Sequence, residues 1–312
     1  MRAAAGWQTD AAFRLVTLVA AGLIVVLLAG ITIRLAIESA GTWARFGLGF
    51  LGGTTWDVVN GVYGALPFVA GTVESSLLAL IIAVPLSLLT AIFLAELAPR
   101  WLSVPLTFLV ELLAAIPSVV VGLWGVFVLS PFLRDTVEKW LVGALGFIPI
   151  FSGPAFGIGL FSASVVLAIM IVPTIVSVSR EVIVAVPGAQ REAMLALGAT
   201  RWETTRRAVL PYARSGIVGA VILGLGRALG ETMAVTMVIG NKDIVPTRVF
   251  DQAQTIASKI ATTFNEAQVG IQTQSLIALG LVLLAITLAL NVIARLLVRQ
   301  VAGDGGGLAS GG

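Results

Sequence analysis

The 312-residue sequence contains no cysteine and no histidine. Without cysteine there can be no disulfide and no thiol nucleophile, and without histidine there is no imidazole for acid–base chemistry or for most zinc sites. A metal site built only from carboxylates stays possible, but the acidic residues are scattered along the chain. A membrane enzyme would need a clustered nucleophile and base or a metal constellation, so the sequence argues against one.

Charge is also scarce, because only 11% of the residues are charged, 58% are hydrophobic and the mean hydropathy is +1.04. Soluble domains carry about 25% charged residues. Several apolar runs exceed the roughly 18 residues that a helix needs to cross a bilayer, and a lipid environment forces such runs to be helical. The alternating segments of a β-barrel are not visible. The sequence therefore predicts an all-α membrane protein with about six transmembrane helices, at 14–37, 70–96, 103–131, 156–178, 214–239 and 273–297.

The basic residues predict the orientation. With six spans both termini share one side, which would hold eleven arginines against seven basic residues on the other side. Six of the eleven lie in the loop 179–213 or, as Arg214, directly after it. The positive-inside rule then places both termini and this loop in the cytoplasm. We expect a cytoplasmic N-terminus at 1–13, a transmembrane domain at 14–302 and a flexible, glycine-rich tail at 303–312. We attribute the net charge of +3 to the basic residues that set the membrane topology and not to a nucleic-acid-binding patch.

The loop at about 187–211 has the signals of two short helices. Pro187 suits a first helical turn, Gly198 suits the left-handed position that ends a helix, and Thr200 with Glu203 has the spacing of a capping box. Pro211 is expected to end the second helix. The residues alone leave two interpretations open: an amphipathic pair that lies on the anionic inner leaflet, or a docking site for another protein.

The same loop resembles the EAA loop of the permease subunits of bacterial ABC importers. Its Glu192-Ala193, Gly198 and Leu210-Pro211 keep the spacing E-A-A-x3-G-x9-I-x-L-P, with Met194 and Ala208 as departures. The resemblance implies a type I importer permease fold in the bacterial inner (plasma) membrane and a loop that inserts into a cleft of a separate ATPase. The residues implied in this coupling are Glu192, Ala193, Gly198, Thr200, Glu203, Leu210 and Pro211.

Other stretches resemble the C-type permease subunits of phosphate (Pst) importers. They are WD (56–57), YGALPF (63–68), FLAELAP (93–99), IPSVVVGLWG (116–125) and GRALGETMAVTMVIGN (226–241). The resemblance implies a second homologous permease, two ATP-binding subunits and an extracytoplasmic phosphate-binding protein as partners. The A-type permease subunit, and a permease for another oxyanion such as molybdate or sulfate, are the alternatives.

No cofactor is expected in this chain. The G-x-G at Gly224 and Gly226 lies inside a span and has no following Gly-Lys-Ser/Thr, so it is not a nucleotide loop. ATP and magnesium would therefore belong to the partner ATPase. A channel or carrier that acts alone is a further alternative, and a requirement for ATP and a separate ATPase would exclude it.

Two charges fall within the predicted fifth span. Arg227 and Glu231 are four residues apart, which would put them on one helix face, and a charge inside the membrane costs at least about 2.5–3.5 kcal/mol. One interpretation is a salt bridge that fixes the helix in its bundle. The other is that Arg227 attracts an anion along the transport pathway while Glu231 keeps its affinity low.

The predicted third span adds three candidates for the pathway. Pro117 is expected to break the helix, and the backbone that Pro117-Ser118 frees would be tolerated where it lines a cavity. Glu111 would either balance a basic group such as Arg227 or form an ordinary interhelical hydrogen bond. Glu38, Glu74 and Glu96 lie near span ends, where we expect them to be solvated.

Overall fold

The structure, a computed structural model, describes the backbone of residues 3–303 and the side chains of residues 13–296. In this part of the chain the α-helices are α1 (Ala3–Glu38), α2 (Ala40–Phe46), α3 (Gly49–Gly52), α4 (Leu66–Ile92), α5 (Arg100–Ala115), α6 (Ser118–Trp124), α7 (Ser130–Phe132), α8 (Lys139–Leu145), α9 (Leu160–Val184), α10 (Gly188–Ala196), α11 (Arg201–Thr204), α12 (Leu210–Gly230), α13 (Met233–Val238), α14 (Ile256–Thr263) and α15 (Ile271–Gly303). Strands β1 (Trp56–Asp57) and β2 (Val62–Tyr63) pair as an antiparallel hairpin. Turns of π-helix lie at Phe93–Leu97, Gly125–Leu129, Leu133–Glu138 and Thr205–Val209, and 3-10 turns at Pro149–Phe151 and Phe264–Glu266.

Six helical stretches of the described residues are long and apolar enough to cross a membrane, which confirms the predicted number. They are Phe13–Glu38, Leu66–Leu97, Ser118–Leu145, Leu160–Val184, Arg201–Gly230 and Ile271–Leu296. The predicted limits 103–131 and 214–239 are wrong, because each of these ranges crosses a helix break. The predicted segment 1–13 joins helix α1 from Ala3 onward, and residues 304–312 of the predicted tail lie outside the described part of the chain.

Helices α4 and α9 form the centre of the bundle. Every fourth residue of α4 from Gly71 to Ala91 is small and buried, so one face lets a neighbouring backbone approach closely. Two-thirds of the most apolar window of α9 is buried, whereas none of the corresponding window of α1 is. Ser87 Oγ, in the last third of α4, donates to the Val172 carbonyl near the middle of α9 over 3.5 Å. Helix α1 therefore lies at the periphery and α9 in the interior.

The bundle has two distinct ends. We call the end with β1 and β2 the hairpin end. Its apolar cluster includes Tyr63, Phe68, Ile256 and Leu279. We call the end with α10 and α11 the loop end. The cluster there joins α4, α9 and α12 and extends over α5. Helices α4 and α9 thus connect the two ends, and α5 starts at the loop end.

Candidate functional site

A helix break at Pro117 interrupts the path from α5 to α6. Ile116 is extended, with ψ 127°, and Pro117 precedes the first residue of α6 with φ −58° and ψ 137°. The proline ring excludes Ile116 from the helical region, which is why the break occurs at this residue. The predicted break is confirmed. From Ser118 the helix continues without interruption through its π-turns to Leu145.

A second break, without a proline, separates α12 from α13. Helix α12 ends at Gly230, Glu231 is extended with ψ 128°, and α13 begins at Met233. The Glu231 carboxylate accepts a hydrogen bond from the Ala234 amide over 3.2 Å, which satisfies an amide of the first turn of α13. The prediction that Arg227 and Glu231 share one helix face is therefore wrong, because the helix ends between them.

The two helices that follow these breaks pack against each other. A Cβ atom added at Gly122 of α6 would lie 2.7 Å from the Met237 sulfur and 2.9 Å from the Ala234 Cα atom. One added at Gly125 would lie 3.0 Å from the Val238 side chain. From Gly122 to Gly125 the contacts also move forward along the second helix, from Ala234 to Val238, so the two helices run parallel. The two breaks that precede them therefore lie at the same depth.

Arg227 lies at this depth as well. Its Nη1 donates to Thr174 Oγ1 over 3.2 Å, directly after Pro173 in α9. Helix α9 runs opposite to α6, and Gly125 faces Val166. Because the two helices are antiparallel, residues equally far from this contact, forward in one helix and backward in the other, lie at the same depth. Pro173 is seven residues, about 10 Å, after Val166, and Ser118 is seven residues before Gly125. Pro173 is close to the middle of α9, and Ser118 lies at the same depth. Arg227 and the two breaks therefore share the central layer of the bundle.

Glu111 does not join this group. It is exposed on α5, and none of the ion pairs among residues 13–296 includes it. Glu111 therefore forms no ion pair with Arg227, whose Nη1 donates to Thr174, and its place on the pathway stays a prediction. Arg227, Glu231, Pro117 and Ser118 remain as the central set.

At the loop end, the predicted helix–glycine–helix arrangement is present. Gly198 has φ +83° and follows α10, and the Ala199 amide donates to the Met194 carbonyl over 3.1 Å. Glycine suits this left-handed position. The Thr200 side chain accepts from the Glu203 amide over 3.3 Å, and the Glu203 carboxylate accepts from the Thr200 amide over 2.9 Å. The predicted capping box is thereby confirmed.

Pro211 does not end the second helix, in contrast to the prediction. The helix runs from Arg201 to Gly230, with a π-turn at Thr205–Val209 and a single residue, Leu210, between this turn and the proline. A proline removes one backbone donor and crowds the carbonyl four residues earlier. The wider π-turn accommodates both effects, so α11 and α12 form one continuous helix. Motion of the loop is thus directly connected to α12.

The loop exposes large apolar side chains. Leu197 is 84% exposed, Trp202 51% and Leu195 49%. Glu192 and Ala193 are also exposed, whereas Leu210 is partly buried against the apolar cluster of the loop end. A groove of about 610 Å³ runs between α10 and the start of α12, and Met194, Leu197 and Tyr212 contribute to its lining. This outer face has the character of a protein contact surface.

One contact at the loop end was missed by the sequence prediction. The Arg191 guanidinium of α10 pairs with the Glu96 carboxylate over 2.7 Å, and the two side chains are 24% and 12% exposed. The expectation that Glu96 is solvated is therefore wrong. The residues are 95 positions apart, and nothing in the local sequence signals the contact.

The fold and the loop define a class of protein: a multi-pass helical permease that exposes a short helical pair at one end. The chain belongs to the family of binding-protein-dependent transport system inner membrane components, whose profile matches residues 83–303. It is thus a transmembrane permease subunit of an ABC importer and is not itself an enzyme.

Relatives agree with this assignment. The chain is 47% identical over 94% of its length to a phosphate transport system permease protein PstC of Mesorhizobium japonicum, covering 91% of that protein. It is 46% identical over 93% of its length to the PstC of Haemophilus influenzae, covering 93% of that protein.

Solved structures share the fold. An inward-facing structure of the MetNI methionine ABC transporter matches with a TM-score of 0.55 and 18% identity, covering 75% of this chain and 96% of that chain. A bacterial ABC transporter that imports the polysaccharide alginate matches with a TM-score of 0.54 and 16% identity, covering 89% of this chain and 95% of that chain.

Proposed function

We propose that this chain is the C-type permease subunit of an ATP-driven importer that moves inorganic phosphate into the cytoplasm across the bacterial inner membrane. The names of its relatives support phosphate as the substrate. The observation that carries the proposal is the central position of Arg227 beside two helix breaks. The basic loop supports a cytoplasmic loop end and cytoplasmic termini.

The central layer suits the passage of an anion. The Arg227 side chain is partly buried, and a guanidinium presents a planar fork of donors to phosphate oxygens. The long helix that begins at Ser118 has the positive end of its dipole at this depth. Glu231 lies at the neighbouring break and contributes negative charge that lowers the affinity, so that the ion is released. Pro117 and Ser118 supply non-helical backbone where the pathway passes.

The partners follow from the same proposal. A homologous permease completes the pathway, two ATP-binding subunits carry ATP and magnesium, and an extracytoplasmic phosphate-binding protein delivers the ion at the hairpin end. Membrane lipids surround α1. At the loop end, Glu192, Ala193 and the apolar side chains at Leu197 and Trp202 face the ATPase, while the helix that follows Gly198 transmits its movement through Leu210 and Pro211.

The transport proposal is tested by ATP-dependent phosphate uptake into proteoliposomes that contain the assembled transporter. We expect Arg227→Gln to lower uptake strongly while subunit assembly stays normal, and Arg227→Lys to retain part of it. Arg34→Gln, in an exposed pair with Glu38, is the matched control and should behave as wild type. Undiminished uptake by Arg227→Gln would remove the arginine from the pathway. Stronger competition by molybdate or sulfate than by phosphate would contradict phosphate as the substrate.

The docking proposal is tested separately by co-purification. Leu197→Asp places a charge on the exposed face of the loop and should reduce the amount of ATPase that co-purifies with the chain. Phe147, which is 80% exposed and far along the chain from the loop, provides the control Phe147→Asp. Equal ATPase recovery with both variants would show that the loop does not bind the ATPase.

A further inference from the structure

Arg191 is bound to two transmembrane helices at once. Its guanidinium donates to the Glu96 carboxylate from Nε over 3.2 Å and from Nη2 over 2.7 Å. Nη2 also donates to the Ile183 carbonyl over 2.8 Å, and Nη1 donates to the Val186 carbonyl. Glu96 belongs to the π-turn that continues α4, Ile183 belongs to the last turn of α9, and Val186 lies two residues after that helix. One side chain of α10 therefore joins the loop to both central helices.

The backbone around Glu96 is specialised for this contact. Helix α4 changes into a π-turn at Phe93–Leu97 and stops before Pro99. A π-turn carries one more residue than an α-turn and so rotates the side chains that follow it. Ser103 Oγ of α5 donates to the Leu94 carbonyl over 2.8 Å, which holds this turn in place. Glu96 is thereby fixed on the side of α4 that α10 reaches.

The contact has the geometry of a rigid connection. A guanidinium offers several donors in one plane, and here they engage a carboxylate and two main-chain carbonyls. The Ile183 carbonyl belongs to the last turn of α9, where a cation is also favoured by the helix dipole, and the Val186 carbonyl lies just beyond it. Both side chains are largely shielded, so water and salt weaken the pair less than they weaken an exposed pair. By contrast, all residues of α10 itself are at least partly exposed.

We propose that the Arg191–Glu96 pair transmits the displacement of α10 to α4 and α9, and so positions the loop for coupling ATP hydrolysis to transport. The chain itself already connects the loop to two helices, because α11 is continuous with α12 and only three residues separate the end of α9 from the start of α10. The arginine adds a connection to α4 and holds α10 against the end of α9. Arg191 and Glu96 are positioning residues that contact neither nucleotide nor phosphate. This inference rests on the proposed function of the loop.

The test uses the complete transporter in proteoliposomes and measures phosphate moved per ATP hydrolysed. Glu96→Gln keeps the size of the side chain and leaves the carbonyl contacts of Arg191 in place, so it tests the charged link alone. Arg191→Gln removes the whole connection. We expect both variants to assemble normally and to move roughly 2- to 30-fold less phosphate per ATP, the range that coupling changes of about 0.5–2 kcal/mol produce. Arg191→Lys should be intermediate.

The control is Arg34→Gln, because the Arg34–Glu38 pair is exposed and lies within α1. It should leave the ratio of phosphate to ATP unchanged. A wild-type ratio in both Glu96→Gln and Arg191→Gln would overturn the proposal. The proposal would also be overturned if ATP hydrolysis and phosphate uptake fell together in proportion to the amount of assembled complex. The pair would then only stabilise the assembly and would not couple the two activities. A wild-type complex without ATP-driven phosphate uptake would instead refute the proposed function.

Discussion

Gly122 contacts Ala234 so closely that a Cβ atom at position 122 would lie 2.9 Å from the Ala234 Cα atom. The two residues belong to α6 and α13, the helices that begin after the two breaks. A glycine is needed at this crossing because the backbones would otherwise be pushed apart. The central layer contains Arg227 and both breaks. Close packing of α6 on α13 therefore stabilises it, since no single uninterrupted helix runs through either break.

We first predict that Gly122→Val separates α6 from α13. Overpacking of a dense interior costs about 1–3 kcal/mol, so the apparent melting temperature of the chain in detergent should fall. Phosphate uptake by the assembled transporter should fall as well, because the two breaks lose their alignment. Gly143→Ala is the control in the same stretch of helix, since a Cβ atom at Gly143 has no neighbour within 4 Å. Wild-type stability and uptake in Gly122→Val would contradict the packing described for α6 and α13.

The features that could be predicted from the sequence are those with a local cause. The break at Pro117 follows from the proline ring, and the end of α10 follows from the left-handed conformation that Gly198 adopts at φ +83°. The capping box depends on two side chains three residues apart. Each of these signals acts within a few residues, so no knowledge of the tertiary structure is needed.

The features that could not be predicted depend on distant contacts. Glu231 is a good helix former, yet the helix ends before it, and what accompanies the break is the packing of α13 on α6 and the hydrogen bond from the Ala234 amide to the Glu231 carboxylate. Pro211 is a strong local signal for a helix end, but the π-turn before it lets the helix continue. The Arg191–Glu96 pair joins residues that only the folded bundle brings together.

Our second prediction concerns the orientation of Arg227. Thr174→Val keeps the shape of the side chain but removes the hydroxyl that accepts the hydrogen bond from Nη1 over 3.2 Å. Hydrogen bonds to charged groups contribute about 1.5–3 kcal/mol. We expect phosphate uptake to fall roughly tenfold, the factor that about 1.4 kcal/mol represents, while the ATPase still co-purifies. Thr174→Ser retains the hydroxyl and should retain uptake. Equal uptake in Thr174→Val and Thr174→Ser would show that this hydrogen bond does not position the arginine.

The third prediction concerns the capping box. Thr200→Ala removes the side-chain acceptor of the Glu203 amide and should destabilise the start of α11 by about 1 kcal/mol. Less ATPase should then co-purify, because a less stable α11 presents the contact surface of the loop in its folded conformation less often. Thr200→Ser keeps the cap and serves as the control. The measurement is the amount of ATPase recovered per permease over a range of temperatures, and identical curves for the alanine and serine variants would refute a contribution of the cap.

Our last prediction compares the two partners of the ion pair between Lys259 and Asp243 at the hairpin end. Lys259 Nζ lies 2.6 Å from Asp243 Oδ2, and it also lies 5.0 Å from the centre of the Trp56 ring and 5.2 Å from that of Phe68. The side chain of Lys259 is only 8% exposed, whereas that of Asp243 is 30% exposed. The cation is thus far more dependent on its partner than the carboxylate is.

Asp243→Asn should therefore destabilise the chain more than Lys259→Met. The asparagine variant leaves a buried ammonium without its counter-charge, at a cost of about 3 kcal/mol, which the two aromatic rings offset only in part. The methionine variant fills the aromatic cage with an apolar side chain and leaves a carboxylate that water can reach. Apparent melting temperatures of the purified variants in detergent give the order, with Arg34→Gln as the exposed-pair control expected to change stability by about 0–1 kcal/mol. If Lys259→Met were the less stable of the two, packing of the lysine stem and its cation–π contacts would outweigh the ion pair.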